Sequence, residues 1–354
     1  VIAATQPRER PLVSIILPCY NESAVLAENL AVIVEHLHTL DAEFRFELIV
    51  VNDGSADDTG AIAEGLRAHY PNLRVLHHPS NYGLGQAFKT AFAQSRGEYV
   101  VTMDVDLSYS PDHIELMLRK LIETRAKLVL ASPYMEGGKL TNVPWLRKTL
   151  SIWGNRFLRI FARGKISTIT CMVRAYDGPF IRAMVLRGTG MEIMPEVVYK
   201  TMVLRGRIEQ VPAHLDWTRQ LAAGPRRTSS MRILKHVFST ILSGFVFRPF
   251  MFLVMPGLLL LVFSAYVNFW MFVHFFTELA QLPPGSDVTT AFAIAYKAHP
   301  HTFIVALLSL MLSIQLIGLG VVALQSKRYF EELYYLGVSV RRAITHDIPD
   351  GRSQ

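Results

Sequence analysis

Tyr99-Val100-Val101-Thr102-Met103-Asp104-Val105-Asp106 is the stretch on which the fold turns. Its apolar part is rich in β-branched residues and reads as a buried strand. Side chains in a strand alternate faces, so Asp104 and Asp106 point the same way. They would converge at the strand's carboxyl end, where open α/β sheets bind ligands. Two converging hard oxygen ligands suit Mg²⁺ or Mn²⁺, held by carboxylates together with substrate phosphates. A solvated acidic turn is the competing account of an isolated Asp-x-Asp, and the surroundings have to separate the two.

Outward from this stretch, strand-like and helix-like segments alternate. Residues 13–17, 46–51, 73–76 and 128–130 read as strands. Between them, 22–40, a segment opened by Asp57 or Asp58, 85–95 and 111–124 read as helices. Such a βαβα rhythm predicts an α/β fold with a mostly parallel, helix-covered sheet. Right-handed crossovers bring the strand ends to one edge. Four of those ends carry polar clusters: Pro18-Cys19-Tyr20-Asn21-Glu22, Asn52-Asp53-Gly54-Ser55, Asn81-Tyr82-Gly83-Leu84-Gly85 and Asp104-Val105-Asp106. Singly, Asn52-Asp53-Gly54 is a turn and Gly83 with Gly85 a loop. Their repetition along one edge points to a nucleotide site.

The 354-residue chain is 51% hydrophobic, and the excess sits in its last third. Two uncharged apolar runs, 249–277 and 302–326, each exceed the roughly 20 residues a helix needs to cross a bilayer. Buried core helices are the alternative. Basic residues flank the runs on their outer sides: Arg219, Arg226, Arg227, Arg232, Lys235 and Arg248 before, Lys327, Arg328, Arg341 and Arg342 after. The intervening loop holds Lys297 alone among Lys and Arg. The positive-inside rule then puts both ends of the chain in the cytoplasm. A net charge of +7 fits contact with anionic headgroups. Nucleic-acid binding would want an aromatic-basic surface or a known module, and neither is present. The polar start, with Arg8, Glu9 and Arg10, is unlike a secretory leader. Cys19 and Cys171 lack metal-ligand spacing and read as reduced structural thiols.

The motifs at 14–22, 51–55 and 103–107 together resemble the inverting GT-A glycosyltransferases of family 2. Those at 134–139, 144–148 and 172–176 are similar to the dolichol- and polyprenyl-phosphate sugar synthases, the mannose synthases among them. The likeness is strong over 12–220, and the two apolar helices extend it in outline. Ser108 stands where mannose-type members often have Gln, and Pro133 where they often have Arg.

This resemblance implies transfer of a hexose from GDP-mannose or a UDP-hexose to undecaprenyl or dolichyl phosphate, with inversion at the anomeric carbon. It implies Pro18, Tyr20, Glu22, Asp53, Gly83 and Asp104 around the nucleotide, and Asp104 and Asp106 on the Mg²⁺ or Mn²⁺. A phosphate acceptor has a second pKa near 6, so a dedicated base is unnecessary. Catalysis would rest on positioning and charge, with Asp104, Asp106, Arg147 and Arg174 as catalytic groups. Arg147 and Arg174, then Arg219, Arg226 and Arg227, are the candidates for the lipid phosphate, since arginine's fork matches phosphate oxygens. Headgroup attraction is the alternative for Arg226 and Arg227. Gly137, Gly138 and Lys139 read as a lid over the donor or as a surface turn.

The organisation expected is a catalytic domain over 1–220, an interfacial amphipathic segment 221–248, a span 249–277, an external loop 278–301, a span 302–326 and a cytoplasmic tail 327–354. Trp153 to Phe161 reads as a second interfacial stretch or as packing on the catalytic domain, and the tail as a surface helix or an oligomer contact. The location expected is the plasma (inner) membrane. A processive polysaccharide synthase and an inactive membrane scaffold are the competing functions. The first lacks its Gln-x-x-Arg-Trp motif here, and retention of both Asp104 and Asp106 speaks against the second.

Overall fold

The structure, a computed structural model, describes residues 10–143, 145, 149, 152, 166–218, 249–283, 285 and 287–346. These fall into two compact units. The first holds the strands and helices up to Asp216 together with the end of the last helix from Tyr334. The second holds the apolar helices up to Leu333.

The first unit is built on a seven-stranded sheet. Its strands are β1 (Leu12–Cys19), β2 (Arg45–Asn52), β3 (Leu73–His77), β4 (Tyr99–Thr102), β5 (Leu128–Ser132), β7 (Arg174–Asp177) and β8 (Ile208–Pro212), in the order β3-β2-β1-β4-β7-β5-β8. β1 pairs in parallel with both β2 and β4, and β2 with β3. The chain therefore runs outward from β1 to β3, then returns to the other side of β1. That reversal is a topological switch point, and it opens a crevice at the carboxyl ends of β1 and β4. Five helices cover the sheet: α1 (Leu26–His38), α2 (Thr59–Leu66), α3 (Leu84–Gln94), α4 (Asp112–Thr124) and α6 (Ile193–Val203), with the short α5 (Gly178–Ala183) after β7. A separate pair, β6 (Lys139–Thr141) with β9 (His214–Asp216), lies outside the main sheet.

Period-two alternation explains the two cores. Val13, Ile15, Leu17, Leu48, Val50 and Val101 pack on one side, with α1 and α4 residues such as Leu30, Ile33, Ile114 and Met117. Ile16, Ile49, Val51 and Val100 pack on the other, with Phe88 and Phe92 of α3 and Met194, Val197 and Val198 of α6. Each large apolar side chain so covered contributes about 1.5–3 kcal/mol.

One strand departs from the parallel pattern. β7 runs antiparallel between β4 and β5, with Thr102 and Leu130 both opposite Arg174. Its sequence, Arg-Ala-Tyr-Asp, has charge at both ends and did not read as a strand. It is nonetheless buried from Arg174 to Tyr176, because the Arg174 guanidinium finds backbone partners.

The second unit contains α7 (Pro249–Gln281), α8 (Val288–Ala298) and α9 (Pro300–His346), α9 continuing into the first unit at Tyr334. Among the described residues, two helices are long and apolar enough to cross a membrane, over Phe252–Gln281 and Pro300–Val340. Only 17% and 22% of their most apolar windows is buried, whereas a core helix of a soluble protein would be mostly covered. Close helix contact rests on small residues. A Cβ on Gly320 would lie 2.3 Å from Val254 Cγ2, and one on Gly257 2.9 Å from Ile317 Cγ1. Asn268 Nδ2 donates across to the Ala306 carbonyl at 3.2 Å. The expected boundaries differ in two respects. The loop between the spans contains a helix, α8. The second helix also does not stop at Ser326 but passes through Lys327 and Arg328, where Lys327 pairs with Glu331 one turn on. The amphipathic segment expected at 221–248 and the stretch 153–161 lie outside the described residues.

Candidate active site

The loops after β1 and β2 are stitched into one rim. Asn21 N donates to Ser55 Oγ at 3.0 Å, Ala56 N to Asn21 Oδ1 at 2.9 Å, and Glu22 N to Thr59 Oγ1 at 2.8 Å. Asp57 closes the seam by accepting from Ser23 N at 3.1 Å and Thr59 N at 3.0 Å. Burial works against the Asp57 charge, yet the bonds from Thr59 and Ser23 outweigh it and hold its carboxyl at about 2. Tyr20 stands exposed on this rim, Pro18 half-buried in β1 and Glu22 half-buried at the entry to α1.

Asp53, only 4% exposed, anchors the loop after β3. Its carboxylate accepts from His78 Nδ1 at 2.7 Å, Tyr82 N at 3.0 Å and Gly83 N at 2.8 Å. A carboxylate accepts about four bonds, so one position remains for a ligand. His78 is fixed in turn by Thr90 Oγ1, 2.9 Å from Nε2. Gly54 is required here, with φ of +64° and Ser80 C 2.2 Å from where a Cβ would stand.

Gly83 and Gly85 do not form an open phosphate cradle. Gly83 N is held by Asp53, while Gly85 N and Gln86 N donate to Thr189 O at 2.8 and 3.2 Å. The start of α3 is thereby covered by the loop 185–192. Gly83 lies beside this rim with its amide tied to Asp53.

Asp104 and Asp106 follow β4, which ends at Thr102, so they leave the strand rather than extend it. The alternation nevertheless persists: Met103 and Val105 are buried, Asp104 and Asp106 half-buried. Asn29 of α1 pins the turn by donating to Val105 O at 2.9 Å, and Ser108 N donates to Asp106 Oδ1 at 3.1 Å. Leu107 takes a left-handed φ of +52° to make that bond. His113 ties the turn to β9. Its Nδ1 donates to Ser110 O at 2.7 Å, and its Nε2 accepts from His214 N at 3.0 Å. Accepting from His214 N needs the neutral ring, and burial lowers the His113 pKa in that direction, against the Ser110 bond, which favours the charged form.

The segment 166–173 runs along the ends of β4 and β5. Thr102 Oγ1 donates to Met172 O at 2.7 Å, and Ala131 N to Val173 O at 3.2 Å. Ser167 bonds Gln210 Oε1 through N at 2.8 Å and Oγ at 2.6 Å, and its hydroxyl also meets Ser132 Oγ at 2.6 Å. Burial pushes the Cys171 thiol up to about 11 and the Tyr109 phenol well above its usual value, and the Asp104 charge adds to both. Cys171 and Tyr109 are thus neutral neighbours of the acidic turn.

One expectation is corrected. Arg174 is wholly buried, and its guanidinium donates to Cys171 O at 2.7 Å, Met194 O at 2.8 Å and Ile169 O at 2.6 Å. It holds the segment 166–173 to α6 and is not available to a lipid phosphate. Gly137, with φ of +82°, and Gly138 form a turn closed by Gly138 N on Met135 O at 2.9 Å. Lys139 is exposed and begins β6. Arg147, Arg219, Arg226 and Arg227 lie outside the described residues. The sequence reading missed His78, His113, Ser167 and the loop 185–192. A histidine directly after β3 was the one available signal.

Among the described residues no three His, Cys, Asp or Glu side chains group as a metal cage. The donor set at the turn is Asp104 and Asp106. Two hard oxygens fit Mg²⁺ or Mn²⁺ completed by diphosphate and water, and do not fit a closed structural zinc site.

Residues 14–184 match the family model described as glycosyl transferase family 2. The polyprenol monophosphomannose synthase of Mycolicibacterium smegmatis is 38% identical over 178 residues, 49% of this chain and 64% of that protein. The undecaprenyl-phosphate mannosyltransferase of Micrococcus luteus is 33% identical over 205 residues, 56% of this chain and 80% of that protein. Glucosyl-3-phosphoglycerate synthase of Mycobacterium tuberculosis, solved with Mn²⁺, UDP and glucosyl-3-phosphoglycerate, superposes with a TM-score of 0.49 at 19% identity, covering 66% of this chain and 80% of that one.

Proposed function

We propose, from the premise that this chain belongs to glycosyl transferase family 2, that it moves a hexose from a nucleotide-sugar to a polyprenyl phosphate at a membrane surface. The reading is carried by Asp104 and Asp106, half-buried at the end of β4 beside the switch point, in a chain that also bears two helices apolar enough to span a bilayer. The named relatives support the choice of a polyprenyl phosphate as acceptor.

The nucleoside sits on the rim formed after β1 and β2. Tyr20 offers it an exposed aromatic face, and Asp53, pre-set by His78 and two backbone amides, offers its remaining acceptor position to a base imino or ribose group. The occupied amides at Gly83, Gly85 and Gln86 leave the diphosphate away from α3 and toward the acidic turn. Asp104 and Asp106 hold the divalent cation, which when bound neutralises charge on the leaving diphosphate. An oxygen of the acceptor phosphate forms the new bond to the anomeric carbon as the bond to the diphosphate breaks, and the leaving group departs as nucleoside diphosphate. No proton need be removed from a phosphate that is already dianionic. In-line displacement converts an α-linked donor into a β-linked product. Arg147, Arg219, Arg226 and Arg227 supply the cations for the acceptor. Gly137, Gly138 and Lys139 close over the donor.

The test uses the full chain in lipid nanodiscs, with polyprenyl phosphate and a panel of labelled GDP- and UDP-sugars. One donor should yield a sugar-charged lipid in the presence of Mg²⁺ or Mn²⁺. Asp104→Ala and Asp106→Ala should each lower turnover about a hundredfold or more, the scale of losing transition-state charge stabilisation. No charged lipid from any donor, or full activity in both variants, ends the proposal.

A further inference from the structure

Near the end of α9, Tyr334 is half-buried and packs against the second core of the first unit, and Val338, one helical turn on, is 2% exposed. Tyr334 meets polar groups of the loop 185–192 and of α6. Its hydroxyl donates to Val185 O at 3.3 Å, and its ring lies 5.0 Å from Lys200 Nζ. Lys200 is itself only 4% exposed and donates to Val185 O at 2.6 Å and to Glu196. Glu196 accepts from Arg187 N at 2.8 Å and Gly188 N at 2.7 Å. Two residues on, Thr189 O receives Gly85 N and Gln86 N at the start of α3. The fit there is close: a Cβ on Gly83 would lie 2.6 Å from Thr189 O, and one on Gly85 2.7 Å from Gly188 O. Gly83 N in turn bonds Asp53.

We infer that Tyr334 is a positioning residue for the nucleotide rim, acting through Lys200, Glu196 and the loop 185–192 on Gly83 and Asp53. Lys200 loses most of its hydration at this place. The Tyr334 ring replaces part of it, an interaction that strengthens when water is excluded. With the ring in place, Lys200 keeps Glu196 and Val185 O in register, so the loop keeps its hold on α3. Without it, Lys200 and Glu196 have freedom to turn toward water, and the loop whose amides Glu196 holds loosens with them. The end of the long apolar helix thus bears on how tightly the donor is held.

The inference rests on the proposed reaction for its kinetic readout but not for its structural one. Full-length protein in nanodiscs is compared as wild type, Tyr334→Leu and Tyr334→Phe by amide hydrogen exchange and by donor kinetics. Leucine keeps apolar bulk and removes the ring; phenylalanine keeps the ring. In Tyr334→Leu, exchange at Gly85, Gln86, Arg187 and Gly188 should quicken about five- to thirtyfold, with β1 and β2 amides unchanged. Donor KM should rise by a similar factor at nearly constant kcat, and Tyr334→Phe should restore both. Wild-type exchange at those four amides in Tyr334→Leu, or an equal rise across the whole sheet, overturns the inference. A wild type that turns over no nucleotide-sugar tells against the proposed reaction alone, and the exchange comparison still decides the role of Tyr334.

Discussion

Replacing Arg174 with methionine should lower stability sharply while leaving the acceptor's own contacts in place. The side chain is wholly buried and serves three carbonyls, on Cys171, Met194 and Ile169. Hydrogen bonds from a charged donor are worth about 1.5–3 kcal/mol each, and an orphaned buried partner costs about 1–3 kcal/mol. Methionine recovers packing and removes a buried charge, so the net loss should be about 3–5 kcal/mol rather than the sum. In a unit of this size that corresponds to a drop in Tm of roughly 6–20 °C. Far-UV circular dichroism of the full chain in detergent during heating reads it. Arg174→Lys, which keeps charge but cannot reach three carbonyls at once, should fall between the two. An acceptor ligand would behave oppositely: Tm would hold and the KM for lipid phosphate alone would rise. That outcome would refute the structural role assigned to Arg174.

His113 gives a pH signature. Burial lowers its folded pKa below the unfolded value of about 6.5. Its contribution is therefore present above that value and is lost as pH falls through it toward the folded pKa. The wild type should lose stability as pH falls below about 6.5, and His113→Gln should flatten that part of the slope; an unchanged slope removes the assignment. Gly85→Ala should cost about 1–3 kcal/mol, because a Cβ would lie 2.7 Å from Gly188 O and from Thr189 C, both backbone atoms. Thermal unfolding checks it, and a neutral result would mean the loop 185–192 can move aside. In the second unit, Asn268→Val removes the bond to Ala306 O and should cost only about 0.6–1.7 kcal/mol, measurable by unfolding in detergent.

The β-strands through β5 were legible because long apolar runs alternate cleanly with turn residues, and β-branched residues crowd them. The ends of β1, β2 and β4 were legible as a candidate site for the same reason: polar residues abruptly follow buried ones. β7 was not legible. Arg174 at its start is charged, and only the three carbonyls that surround it make burial tolerable. Those carbonyls come from 169, 171 and 194, a meeting that local sequence does not announce. For Gly83 and Gly85 the sequence left a plain loop and part of a nucleotide site both open. Glycine there reflects the approach of another stretch of backbone at Thr189, and the same letters would serve a phosphate. Lys327 and Arg328 mark where charge resumes, which says nothing about where a helix stops.

The antiparallel wedge has a consequence for how the chain comes into being. β4 is made well before Arg174–Asp177, and until those four residues arrive it lacks the neighbour that lies opposite β1. An open strand flank invites wrong partners. This one is only four residues long and is followed, after Met103, by Asp104 and Asp106, and a short strand ending in charged residues is a poor edge for a stray strand to extend along. The same acids proposed to grip a cation in the finished enzyme would thus chaperone the nascent sheet.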